Sequence, residues 1–124
     1  VLTYHEMKEA FEQLFKEGFI DVKEESRVRL MLHHAYNDYY IRNQVRKEVP
    51  EIDKQMFHDN ALWLINNFLK NNVMKAEFYR EIGDMEAAKE ILDSIVVEDD
   101  FLKEIVSSIR ERVAINECEV FKIR

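Results

Sequence analysis

Apolar side chains recur along this chain at three- and four-residue steps, with polar and turn-forming residues between the runs. Tyr4, Met7, Phe11, Leu14 and Phe15 make a first stripe, the spacing that aligns one face of an α-helix. Thr3, with Glu6 three residues on, reads as a capping box at its start. Gly18 stands where the chain leaves helical geometry, a position that favours glycine. Asp21 and Glu24 repeat the capping pattern, and the helix behind them is expected to run to about Val49. Its stripe is Val28, Leu32, Ala35 or Tyr36, then Tyr39. Glu25–Arg29 and Asp38–Arg42 are four apart with the acid first; such surface pairs add only about 0.3–0.5 kcal/mol each. Pro50 stops this helix, because the residue before a proline avoids α geometry.

Glu51 and Asp53 suit the positive end of the next helix. Ile52, Met56, Phe57, Ala61, Leu62, Trp63, Leu64, Ile65, Phe68 and Leu69 then wrap most of its circumference, which predicts the central, most buried helix. Asn71 and Asn72 mark a break or a bend. Val73, Ala76, Phe78, Tyr79 and Ile82 carry a further stripe to Gly83, and Asp84 caps a short helix bearing Met85, Ala88, Ile91, Leu92 and Ile95. Asp99 and Asp100 open a last amphipathic helix through Phe101, Leu102, Ile105, Val106, Ile109 and Val113. The tail from Glu119 to Arg124 alternates like an edge strand and is expected to be frayed or paired with another chain. The expected fold is all-α: an antiparallel helical bundle or short helical-hairpin array of five to six helices, as one domain over residues 1–124.

Composition sharpens this picture mainly by exclusion. A chain of 124 residues buries roughly two-thirds of its unfolded surface and needs no disulfide or metal to fold. Two Gly and one Pro are too few for an all-β protein, and no glycine-rich phosphate loop or nucleophile elbow occurs. Cys118 alone gives neither a disulfide framework nor a cysteine zinc site; one cysteine suits a reducing compartment, and a cytoplasmic location is expected. Charges interrupt every apolar run, so no membrane span is expected. With His5, Glu6, Lys8 and Glu9 so early, no secretory leader is expected either. Eighteen basic against 25 acidic residues leave 18 − 25 = −7, which repels phosphate backbones and makes nucleic-acid binding an unexpected role. The one basic cluster, Arg42, Arg46 and Lys47 with Arg27 and Arg29 upstream, lies near a helix end, where cations answer the negative dipole.

Within residues 76–95 stand Ala76, Tyr79, Gly83-Asp84, Ala88 and Leu92, in turn a small residue, an aromatic, a Gly-Asp turn, a small residue and a bulky one. Small residues at Ala76 and Ala88 let two antiparallel helices approach, while Tyr79 and Leu92 fill the space beside them. This stretch resembles part of a tetratricopeptide repeat. The resemblance implies a scaffolding role, binding a peptide or partner rather than catalysing a reaction.

Candidate chemistry concentrates on the second helix. His33, His34, Tyr36, Tyr39 and Tyr40 fall within eight residues, and tyrosines supply rigid contact area with a polar tip. His34 and Asp38 are spaced to touch one ion, with His5 and His58 on other helices. Neither Glu-x-x-His nor His-Glu-x-x-His is present, and no metal or other cofactor is expected. Arg29 and His34 form Arg-x-x-x-x-His, which resembles the active-site motif of the HEPN helical ribonucleases. That resemblance implies an Arg29 that stabilises phosphate charge and a His34 that acts as acid or base. No serine lies in a nucleophile context, and Glu117 and Glu119 disfavour a Cys118 thiolate. The expectation is a non-enzymatic interaction or regulatory module, contacting a protein partner or a second copy through Tyr36, Tyr39, Tyr40 and Trp63, with Arg42 and Arg46 at the rim. The alternatives are a small ribonuclease using Arg29 and His34, an acidic inhibitor covering a basic partner, and a ligand-binding bundle with an apolar pocket beside Trp63.

Overall fold

The computed structural model describes residues 3–42, 48–96 and 99–118. Among them the chain is an all-α helical bundle of six α-helices and one π-helical turn, with no strand. No helix among the described residues is long and apolar enough to cross a membrane. The alternating tail at 119–124 lies outside the described residues. The chain gathers into two compact units, Val1–Phe68 and Leu69–Arg124.

In the first unit, α1 (Tyr4–Glu17) begins with the expected capping box. The Thr3 hydroxyl accepts from the Glu6 N–H at 3.2 Å, and Glu6 Oε1 accepts from the Thr3 N–H at 3.5 Å. It ends where the Gly18 N–H reaches the Leu14 carbonyl with Gly18 at φ 88°, backbone geometry open to glycine at little cost. Tyr4, Met7 and Phe11 face inward, but Phe15, at the edge of the same stripe, is 64% exposed. Asp21 caps α2 (Val22–Tyr36) through the Glu24 N–H, while the Glu24 carboxylate reaches one residue further back to the Ile20 N–H. The inner face of α2 is Ser26, Arg29, Leu32, His33 and Tyr36, more polar than the stripe read from the pattern. At Asn37 the helix passes into the π turn, Asn37–Arg42, which buries Asn37 and Tyr40; a π turn widens the helix locally. Pro50 precedes α3 (Glu51–Asn67), whose first bonds run from the Asp53 and Lys54 N–H groups to the Pro50 carbonyl. The inner positions of α3 are Asp53, Phe57, Asn60, Ala61, Leu64 and Ile65. α2 packs on both α1 and α3.

The second unit starts at the expected break. Asn71 caps α4 (Asn72–Glu81) by accepting from the Val73 and Met74 N–H groups. Gly83 (φ 84°) turns the chain, and Asp84 caps α5 (Met85–Ser94). Asp99 caps α6 (Asp100–Ala114) through the Leu102 N–H. α4 and α5 form a close hairpin that α6 covers. Ala76, Leu92, Val106 and Ile109 are its core, with Val73, Ile91, Ile95, Ile105 and Val113 packed around them. Arg80 pairs with Glu77 and donates to the Glu117 carbonyl at 2.6 Å.

Candidate interaction groove and the polar network beneath it

The tyrosines of the second helix close inward. Tyr36 stacks on Phe57 at 4.0 Å between ring centroids, and Tyr36 and Tyr40 meet at 5.0 Å. Tyr4 reaches this group from α1, edge-on to Tyr36 and Tyr40 and stacked on Tyr39. His33 lies flat against the same Phe57 ring at 4.7 Å. Tyr36 and Tyr40 are each only 6% exposed, so they are core residues and not the contact surface that their clustering suggested. Tyr39 is half-buried, and its hydroxyl pairs with His5 Nε2 at 3.4 Å. Arg42 is exposed and paired with Asp38 at 3.0 Å; Arg46 lies outside the described residues.

Below the rings sits a charged pair that the pattern did not reveal. Lys8 Nζ donates to Asp53 Oδ1 at 2.7 Å, and the Tyr40 hydroxyl donates to Asp53 Oδ2 at 2.8 Å. Burial opposes ionisation of Asp53, but the hydrogen bonds from Lys8 and Tyr40 and the Lys8 charge outweigh it, and the carboxyl is held below its ordinary value. Burial first, and then the Asp53 hydrogen bond and charge, push the Tyr40 hydroxyl well above the usual phenol range; Tyr4 is raised by burial and by Asp53. One ion pair thereby ties α1 to α3 and fixes the π turn on both.

Arg29 is the second inward group. Its Nε donates to Glu25 Oε2 at 2.8 Å and its Nη1 to Asn60 Oδ1 at 3.1 Å, while Asn60 Nδ2 donates back to the Arg29 carbonyl at 2.8 Å. The guanidinium carbon lies 5.0 Å from the Phe11 ring centroid and 4.6 Å from that of Trp63, the arrangement of a cation flanked by aromatic faces. Arg29 is 8% exposed, whereas His34 is exposed. Five helical positions place the two about 140° apart around the axis, so this protomer does not bring the Arg-x-x-x-x-His pair to one point.

Above Arg29 opens a groove of about 480 Å³ within the first unit. Phe11 and Phe15 of α1 form one wall; Ile52, Gln55, Met56, Asp59 and Trp63 of α3 form the other, and Arg29 and Asn60 lie on the floor. Ile52 is 69% exposed, and with Phe15 it leaves a large apolar side chain in water on either lip. Trp63, half-buried, is the one expected contact residue among the described residues that lines this groove. Phe15 and Ile52 belong to the apolar runs of α1 and α3 but stay exposed. Asp53 is expected only as a helix-start acid, and Asn60 carries no expectation; both share the register of Phe57 and Leu64, and a polar residue at a core position is the signal that marks them. Among the described residues no group of three or more His, Cys, Asp or Glu side chains is placed to hold a metal ion. Cys118 is exposed. The chain matches no family model, no curated protein and no solved structure, so function rests on what these side chains can do.

Proposed function

We propose that this protein is a non-enzymatic interaction module and that the groove between α1 and α3 is its contact surface for a protein partner. The observation that carries this is where the chemistry is spent. Arg29 and Asp53, the groups best equipped for acid–base or phosphate work, are engaged by Glu25 and Asn60 and by Lys8 and Tyr40, while Phe15, Ile52 and Trp63 face the groove. Interfaces concentrate their energy in aromatic anchors set in such depressions. The tetratricopeptide-like stretch at 76–95 supports the same role for the second unit, as a scaffold for a peptide or partner. The single cysteine favours a cytoplasmic setting.

The test is a paired capture experiment. The combined variant Phe15→Ser, Ile52→Ser keeps the helical circular-dichroism spectrum and loses the partner that the parent captures from native lysate. Tyr36→Phe keeps both. Equal capture by parent and double variant removes the groove from the interface.

A further inference from the structure

We infer that the segment received by the α1–α3 groove is an apolar stretch of a partner protein carrying one Asp or Glu, and that this carboxylate seats on Arg29. This rests on the groove being the contact surface and adds what its occupant must present.

A guanidinium has five N–H donors. Arg29 spends Nε on Glu25 and Nη1 on Asn60. Its Nη2 has no hydrogen-bond partner among the described residues, and it is not among the polar atoms sealed from solvent without one. The unanswered donors therefore belong to the part of the guanidinium that solvent reaches, and Arg29 lines the groove floor. An arriving oxygen meets a cation lying between Phe11 and Trp63, and such apolar surroundings strengthen a charge-assisted hydrogen bond. Glu25 pairs with the Nε side alone, so a carboxylate on Nη2 shares the guanidinium with it, while a cationic anchor finds no acceptor on Nη2. Asp59 works against the anion. Its side chain is 67% exposed and accepts from Gln55 Nε2 at 2.9 Å, so water and Gln55 blunt its repulsion without abolishing it. Apolar walls with open guanidinium donors on the floor complement an apolar segment bearing one acceptor, and a carboxylate is the strongest acceptor for them.

The experiment uses two probes of one shape, 3-phenylpropionate and 3-phenylpropionamide, titrated into the full chain. Trp63 is the only tryptophan, so its fluorescence and its indole N–H resonance report the groove directly. The carboxylate is expected to bind about tenfold more tightly than the amide, the effect of one charge-assisted hydrogen bond. Added salt narrows the ratio, Asp59→Asn widens it, and Arg29→Lys reduces it. Arg29 is a core residue, so its variant counts only with a parent-like circular-dichroism spectrum; Asp59→Asn, at an exposed position, supplies the same evidence otherwise. Equal binding of the two probes, or a ratio that Asp59→Asn leaves unchanged, overturns the carboxylate preference and leaves the apolar groove standing. A Trp63 signal that neither probe moves overturns both.

Discussion

In residues 1–68 the helices close around Asp53, Asn60 and Arg29; in residues 69–124 they close around Ala76, Leu92, Val106 and Ile109. The first interior is directional. Asp53, Asn60 and Arg29 are each held by directed hydrogen bonds, and the helices hold the register that those bonds require. The second is mainly a close approach of small and branched apolar side chains, which fixes distance more than register, together with the buried Arg80 held by Glu77 and the Glu117 carbonyl. The contrast bears on function. An interior held by directed bonds can leave Phe15 and Ile52 in water at a groove without losing its geometry, because Lys8–Asp53 already ties α1 to α3.

The largest expected effect tests the apolar interior. Leu92→Ala removes a fully buried side chain from the centre of the second unit, and such truncations cost about 2–5 kcal/mol. Amide hydrogen exchange should show the loss across residues 72–114 while α1 to α3 keep their protection. Protection lost equally in both units would mean that they unfold as one and that the two interiors are not energetically separate.

The directional interior breaks differently. Asp53→Ala leaves the Lys8 ammonium and the Tyr40 hydroxyl without their acceptor, at a cost of about 1–3 kcal/mol to the first unit. The two units also answer acid with opposite signs. Asp53 is held below its ordinary value of 3.8, so the folded state favours its ionised form. Its contribution is present above 3.8 and is lost as pH falls through the depressed folded value. Glu77 is raised above 4.5, by burial that its Arg80 hydrogen bond and charge only partly offset. Its folded state favours the protonated form, so its contribution to the second unit grows as pH falls through the raised value toward 4.5. Exchange protection followed from pH 7 to pH 3 should therefore diverge between the units. Asp53→Asn should flatten the acid response of the first, and Glu77→Gln that of the second. Parallel curves in the parent would refute both assignments.

Much of this architecture is written in local chemistry. Thr3, Asp21, Asn71, Asp84 and Asp99 each cap a helix through a nearby N–H, and Gly18 and Gly83 adopt the positive φ that their positions demanded. These signals are readable because they act within a few residues. The inward face of α2 was not readable, since Arg29 and His33 owe their burial to partners on a distant element: Asn60 lies 31 residues from Arg29, and Phe57 stacks on His33. The passage into a π turn at Asn37 leaves no mark in the apolar spacing. Tyr36 and Tyr40 misled for a related reason. A tyrosine cluster serves an interface or a core equally well, and what decides is whether an acceptor such as Asp53 waits inside for the hydroxyl. An apolar pocket beside Trp63 is one alternative that the sequence offers; the rest of its lining was not legible, because the groove needs Phe15 and Ile52 to remain in water while their stripe neighbours are buried.

The smallest expected effect on stability is the one that tests the groove. Phe11 and Phe15 lie one helical turn apart on α1, with rings 6.0 Å apart, and on apolar spacing alone they are equivalent. Phe11 is buried and flanks Arg29; Phe15 stands on the lip. Phe11→Ala should cost about 3–5 kcal/mol. Phe15→Ala removes a ring that water already surrounds and should shift stability by no more than about 0.5 kcal/mol. Urea denaturation of the two variants side by side measures the difference. A Phe15→Ala loss approaching that of Phe11→Ala would mean that Phe15 packs as core in solution. The lip would then be closed, and an exposed aromatic kept for a partner would no longer explain why α1 carries two phenylalanines where one fills the interior.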